Sequence, residues 1–120
     1  MKRTGPTNIV LRKLISDLRR EANKNRAPIW DAVADLLERS SRRRVVVNIS
    51  KISRYAKENE IIVVPGKVLG SGSLRKRVIV AAFSYSKNAL EKIRASGGRA
   101  MTIRDLLNEN PKGSGVRIII

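Results

Sequence analysis

The chain has 120 residues, 42% of them apolar, and 26 Lys and Arg against 10 Asp and Glu, for a formal net charge of +16. It contains no His and no Cys. Disulfides, an ordinary zinc site, a thiol nucleophile and any side chain titrating near neutral pH without a strong shift are therefore excluded.

Thr7-Asn8 can cap a first helix whose apolar positions are Leu11, Leu14, Ile15, Leu18 and Ala22, a narrow core-facing stripe. Arg12, Lys13, Arg19 and Arg20 fall mainly outside that stripe. Asn23-Lys24-Asn25-Arg26 reads as a turn, and Pro28 suits the first position of a second helix. Trp30, Val33, Ala34 and Leu37 supply its buried face. Trp30 on that stripe favours core packing over stacking on a base. Asp31, Asp35 and Glu38 form an acidic stripe on the same helix. Asp35→Arg39 and Glu38→Arg42 are candidate i,i+4 pairs, which favours a structural role over acid–base or Mg²⁺ chemistry. The stripe then marks a face turned from phosphates, or one that neutralises a neighbouring basic segment.

Val45-Val46-Val47 reads as a short buried strand, and Asn48 as the cap of a helix with Ile49, Ile52 and Ala56 on one face. Ile61-Ile62-Val63-Val64 is a second strand, ended by Pro65-Gly66. Residues 78–83 make a third. Ser86 caps a helix that buries Ala89, Leu90 and Ile93 and closes at Gly97-Gly98. Thr102-Ile103-Arg104-Asp105 resembles a capping box, and residues 116–120 form a terminal strand. Residues 47–52 and 101–106 share the pattern apolar, cap, Ile, polar, polar, apolar, and each is followed by a β-branched run. One strand–helix–strand module is thus used twice, and the class is α/β. At this length one domain over residues 1–120 is expected, with residues 1–6 flexible.

No apolar run approaches the ~20 residues of a membrane span. The basic start lacks the apolar region of a secretory signal, and Asp17 and Glu21 argue against a transit peptide. The missing Cys fits a reducing compartment, and a cytoplasmic location is expected.

A surface this positive requires a polyanion, and Arg outnumbers Lys, 16 to 10. Arginine's planar fork suits phosphate, so nucleic acid is the expected partner. Residues 39–57 and 61–90 hold no acid at all. Within them, Arg42, Arg43, Arg44, Lys51 and Arg54 surround the first strand and its helix, and Lys67, Arg75, Lys76 and Arg77 flank a glycine-rich loop. These are the leading candidate contacts, with Arg12, Lys13, Arg19 and Arg20 second. The loop itself, Gly66 with Gly70, Ser71 and Gly72, fits neither nucleotide motif. Gly66-Lys67 is followed by Val68 where a P-loop needs Ser or Thr, and Arg75 stands where a dinucleotide fingerprint needs its third glycine. A loop whose backbone N–H groups approach phosphate is the remaining functional reading, beside plain turn geometry.

The serines have no His partner, and no desolvated lysine is identifiable for a Ser–Lys dyad, so no enzyme, no cofactor, no metal and no small-molecule substrate are expected. Trp30, Tyr55, Phe83 and Tyr85 are too few for a single-strand stacking platform, and most look buried. Recognition through phosphates, 2′-hydroxyls and shape follows. An architectural DNA-binding protein is the alternative; a helix-turn-helix and an arm with apolar wedges are both lacking. A membrane-surface or acidic-protein binder would carry one continuous basic amphipathic helix, whereas this charge is distributed.

Residues 45–52, preceded by Arg42, Arg43 and Arg44, together with Val63-Val64-Pro65-Gly66-Lys67-Val68-Leu69-Gly70-Ser71-Gly72 and the Phe83-Ser84, Ala89, Ile93, Gly97-Gly98 series, closely resemble large-subunit ribosomal protein eighteen of the archaeal–eukaryotic type. Ala27-Pro28-Ile29-Trp30 is similar to that family too, and the likeness spans residues 4–119. Residues 70–99 are similar to bacterial large-subunit protein fifteen, although only residues 1–6 stand where that relative has a long Gly/Arg-rich arm. The compact length looks more like archaeal members. The resemblance implies irregular β-β-α superhelical turns with a small sheet, preceded by two N-terminal helices. It also implies a structural role in the large ribosomal subunit, bound to large-subunit rRNA and neighbouring ribosomal proteins, in support of translation.

Overall fold

The computed structural model describes residues 9–40 and 42–120. In chain order the elements are α1 (Ile9–Asn25), α2 (Pro28–Leu37), β1 (Val45–Asn48), α3 (Ile49–Tyr55), β2 (Ile61–Leu69), β3 (Ile79–Tyr85), α4 (Lys87–Ala95), β4 (Arg99–Thr102), α5 (Ile103–Glu109) and β5 (Val116–Ile118). The α/β class, the small sheet and the two leading helices are as the sequence implied. The Thr7-Asn8 cap and the flexibility expected of residues 1–6 lie outside the described residues.

Every strand pairing is parallel, in the order β1-β2-β3-β4, with β5 also on β2. β1 and β5 lie end to end along one edge of β2. β1 takes Gly66 to Leu69, and β5 takes Ile61 to Val63. Two cores flank the sheet. Leu11, Leu18, Trp30, Leu37, Val63, Ala81, Ile103 and Leu107 join α1, α2 and α5 to one face. Ile49, Ile52, Ile62, Val64, Val80, Ala89 and Ile93 join α3 and α4 to the other. The alternation of Ile62, Val63 and Val64 between the cores is the two-residue period of a strand covered on both sides.

The repeated module is present as β1–α3–β2 and β4–α5–β5, each helix beginning at the residue after its strand. The chain steps across the sheet from β1 to β4 with α3 and α4 on one face, then returns to β5 with α5 on the other. Reversing the direction of travel moves the covering helix to the opposite face when crossovers keep one hand.

The caps divide. The Ser86 side chain accepts from Ala89 N–H at 3.1 Å. Thr102 and Asp105 form the expected capping box, with Asp105 N–H to Thr102 Oγ1 at 3.0 Å. Asn48 occupies the cap position of α3, but its side chain does not cap; it accepts from Ser71 N–H at 3.2 Å instead. Two boundaries are corrected. α1 continues through the supposed turn to Asn25, whose side-chain amide donates back to the Glu21 carbonyl and carboxylate at 3.1 and 2.8 Å; the turn falls at Arg26, with φ of 51°. β2 does not end at Pro65-Gly66 but runs on to Leu69. Pro65 is tolerated because it lies between the two edge pairings and within the register shift between Val64 and Lys67, where no ladder bond requires its missing N–H. Gly66 is required there: an added Cβ would lie 1.9 Å from the Val45 carbonyl oxygen.

Candidate nucleic-acid interface

The cations fall into two populations. In the first, each is matched to carboxylates. Arg19 reaches all three members of the α2 stripe, Asp31 at 3.6 Å, Asp35 at 3.0 Å and Glu38. The hydrogen bonds to Asp35 and Glu38 raise its already high pKa. Arg39 and Arg42 are not ion-paired to the stripe among the described residues, so the expected i,i+4 pairs are replaced by a bridge between helices. The reason is geometric: α1 packs against α2, and Arg19 meets the stripe from the side. The stripe thus neutralises a neighbouring basic segment, one of the two roles expected of it.

Asp17, which the sequence did not mark for the core, is buried between α1 and α5. Arg104 reaches it at 3.0 Å, Arg20 at 2.8 Å and Lys13 at 3.8 Å. Burial acts to raise the Asp17 pKa, but the Arg104 hydrogen bond and the surrounding positive charge outweigh it and hold the carboxyl below its usual range. Three of the second-tier candidates, Lys13, Arg19 and Arg20, are therefore ion-paired within the fold, and Arg12 is exposed and among the described residues has no carboxylate side chain paired to it.

The second population is the leading set, none of which is ion-paired to a carboxylate side chain among the described residues. Arg42, Arg43, Lys51, Arg54, Lys67, Arg75 and Arg77 are all exposed. The structure separates them into two groups. One surrounds β1: Arg42, Arg43 and Arg44 lead into it, and Lys67 lies beside Val46 in the ladder. Arg44 lies 5.8 Å over the Phe83 ring and donates to the Arg39 carbonyl at 3.1 Å. The other surrounds the C-terminal end of α3. Arg54 sits over the Tyr55 ring at 5.9 Å, and Lys76 donates to the Ser53 and Ala56 carbonyls, both at 2.7 Å. Lys76 thereby satisfies carbonyls that the helix end leaves open, a structural duty the sequence did not show. Lys51 donates to the Ile120 carbonyl at 2.6 Å.

The glycine loop has an architecture of its own. Ser50 N–H donates to the Ser71 carbonyl at 2.9 Å, and Lys92 Nζ lies 2.6 and 2.5 Å from the Gly70 and Gly72 carbonyls. Gly72 has φ of +101°, and a Cβ there would lie 2.5 Å from that of Ser50. The loop presents carbonyls to a lysine, and the Ser71 amide is already engaged by Asn48. These contacts explain Gly66, Gly70 and Gly72 by close approach and turn geometry.

Sequence reasoning missed the surface around Val46. Three consecutive valines read as a fully buried strand, yet Val46 is 57% exposed because the helices cover only one face of β1. The alternation of an edge strand was the available signal. Trp30 is buried as expected, its Nε1 donating to the Pro111 carbonyl at 2.8 Å. Tyr55 is 50% exposed beside Arg54, a position that its place on a short helix did not disclose. Tyr85 is half-buried; its hydroxyl lies 2.5 Å from the Met101 carbonyl and 2.8 Å from that of Val80, and burial raises its pKa.

Among the described residues no group of His, Cys, Asp or Glu is placed to hold a metal, and no helix is long and apolar enough to cross a membrane. The fold and its charge define a class: a small, strongly basic α/β protein in which one set of exposed cations is not ion-paired to carboxylate side chains among the described residues.

Comparison with known proteins narrows the class. The family model described as "Ribosomal protein 60S L18 and 50S L18e" matches residues 1–120, and the chain belongs to that family. It is 52% identical over 120 residues to the large ribosomal subunit protein eL18 of Archaeoglobus fulgidus, covering all of both chains. It is 51% identical over 119 residues to the protein of that name from Methanococcus maripaludis, 99% of each chain. With that of Pyrobaculum aerophilum the identity is 49% over 117 residues, 98% of this chain and 96% of the relative.

Proposed function

We propose that this chain is a structural constituent of the large ribosomal subunit that binds large-subunit rRNA through phosphates, 2′-hydroxyls and shape, without catalysing a reaction. Family membership supports the ribosomal part of this reading, and with it a cytoplasmic location and neighbouring ribosomal proteins. The RNA part rests on one observation: among the described residues the cations around β1 and the end of α3 are not ion-paired to carboxylate side chains, whereas Lys13, Arg19 and Arg20 are. Unpaired cations release counterions from RNA when they bind; paired ones must first break an ion pair. One open group surrounds β1, with Arg42, Arg43, Arg44 and Lys67, and the other surrounds the C-terminal end of α3, with Arg54, Arg75 and Arg77; the RNA contacts both.

Salt titration of binding to deproteinised large-subunit rRNA tests the mechanism. If about six phosphates are neutralised, the log–log slope is roughly −4 to −5. A flat dependence would sink the electrostatic reading. Linear duplex DNA is expected to compete poorly; equal competition would revive the architectural DNA-binding alternative, which nothing in the family favours.

A further inference from the structure

Beside β1 the sheet carries a shallow groove lined by Arg44, Val45, Val46, Gly66, Lys67, Phe83 and Ser84. Its chemistry differs from the rest of the basic surface. Val46 exposes an aliphatic side chain, Phe83 a half-buried ring, and Lys67 a cation next to Val46 in the ladder. Arg44 lies over the Phe83 ring, and its Nε is buried without a hydrogen-bond partner. No carboxylate lines the groove. Gly66 is forced by its approach to the Val45 carbonyl, and the missing side chain keeps the floor low between Val46 and Phe83.

We propose that this groove takes one unpaired nucleotide of the bound RNA. The base lies on Val46 and against the guanidinium plane of Arg44, which Phe83 backs, and Lys67 takes the nucleotide's phosphate. Base faces stack on arginine planes as they do on aromatic rings, so one arginine supplies a platform in a chain poor in aromatics. The Arg44 Nε–H is buried and unpaired in the free protein, a donor that the bound nucleotide can satisfy. The inference rests on the rRNA reading and adds to it one stacked base beside the phosphate, 2′-hydroxyl and shape contacts.

Three variants of the full chain separate ionic from non-ionic contacts by rRNA affinity, salt slope and chemical probing of unpaired nucleotides. Val46→Gln is neutral and lies on an exposed position. It is expected to weaken binding at least about fivefold at unchanged salt slope, and to lose protection of a single unpaired nucleotide within an otherwise intact footprint. Arg44→Lys keeps the charge but removes the plane, and is expected to lose the same protection. Lys67→Gln is expected to reduce the magnitude of the slope by about 0.8. Thermal unfolding of each variant guards against misfolding, and Val46→Gln carries the test if Arg44→Lys is unstable. If Val46→Gln and Arg44→Lys keep wild-type affinity and footprint, the subsite is overturned and the groove is left to a protein neighbour. A wild-type protein with no footprint on rRNA would overturn the rRNA reading itself, and the subsite with it.

Discussion

In the layer of α1 and α2, Arg19 faces three carboxylates and the buried Asp17 faces three cations. Around β1 and the C-terminal end of α3, the side chains of Arg42, Arg43, Arg54, Lys67, Arg75 and Arg77 form no ion pair with a carboxylate among the described residues. Both regions are arginine-rich, and composition does not separate them. The difference is the location of the few acids: they pair with cations where helices meet and on β5 and β4, where Glu60 reaches Arg117 at 2.9 Å and Glu109 reaches Arg99 at 3.3 Å, and among the described residues they pair with none around β1. One population holds the fold together, and the other is the one proposed to meet RNA phosphates.

Mutations on each side sharpen or break that contrast. The largest effect is expected from Gly66→Ala, which drives a methyl group into the Val45 carbonyl and breaks the β1–β2 ladder that carries the open population. It should lower stability by about 3 kcal/mol or more, read by urea denaturation. Next, Arg42→Glu with Arg43→Glu should weaken rRNA binding about 100-fold at low salt and reduce the slope by about 1.5, with the unfolding midpoint nearly unmoved. Were the double variant to unfold, those arginines would belong to the fold and the contrast would fail.

On the paired side the signs reverse. Asp17→Asn should cost about 2 kcal/mol, less than a sealed buried pair because its arginines are partly exposed, and leave the salt slope of binding unchanged. The Asp17 pKa is held below the ordinary carboxylate value of 3.8 in the folded protein. Its contribution is therefore complete above pH ~4 and is lost as pH falls through the folded value. A pH series of unfolding curves should show this acid limb in the wild type and a flatter one in the variant. The smallest effect is expected from Lys92→Met, which frees the Gly70 and Gly72 carbonyls. A loss of about 1 kcal/mol with faster amide exchange in residues 70–72 would support the loop's structural role. If binding fell more than stability, the loop would return to the interface.

Much of this arrangement was legible in the sequence. The apolar stripes of α1 and α2, the Ser86 cap, the Thr102–Asp105 box and the duplicated strand–helix–strand module depend on near neighbours, and local pattern encodes them. The acid-free stretches also hold the leading cations, which form no ion pair with a carboxylate side chain among the described residues. What was illegible depends on which elements meet. Asp17 looks like a surface residue until α5 brings Arg104 to it. Arg19 looks free until α2 supplies its stripe. Pro65-Gly66 looks like a strand end because nothing local reveals that β2 changes partner there. Nothing local to Gly70 and Gly72 reveals that Lys92 arrives at their carbonyls from α4.

The shared edge of β2 bears on how the chain is made. Residues 61–63 keep one side of their ladder empty until residues 116–118 exist to fill it, a separation of 55 positions between Ile61 and Val116. The upper half of that edge closes early, on a segment only about twenty residues away. Vectorial synthesis therefore yields a half-zipped intermediate that exposes the unpaired backbone of Ile61, Ile62 and Val63 to any other strand in reach. Truncation before Val116 should trap that species, and its tendency to self-associate would measure how much the final strand protects the nascent protein.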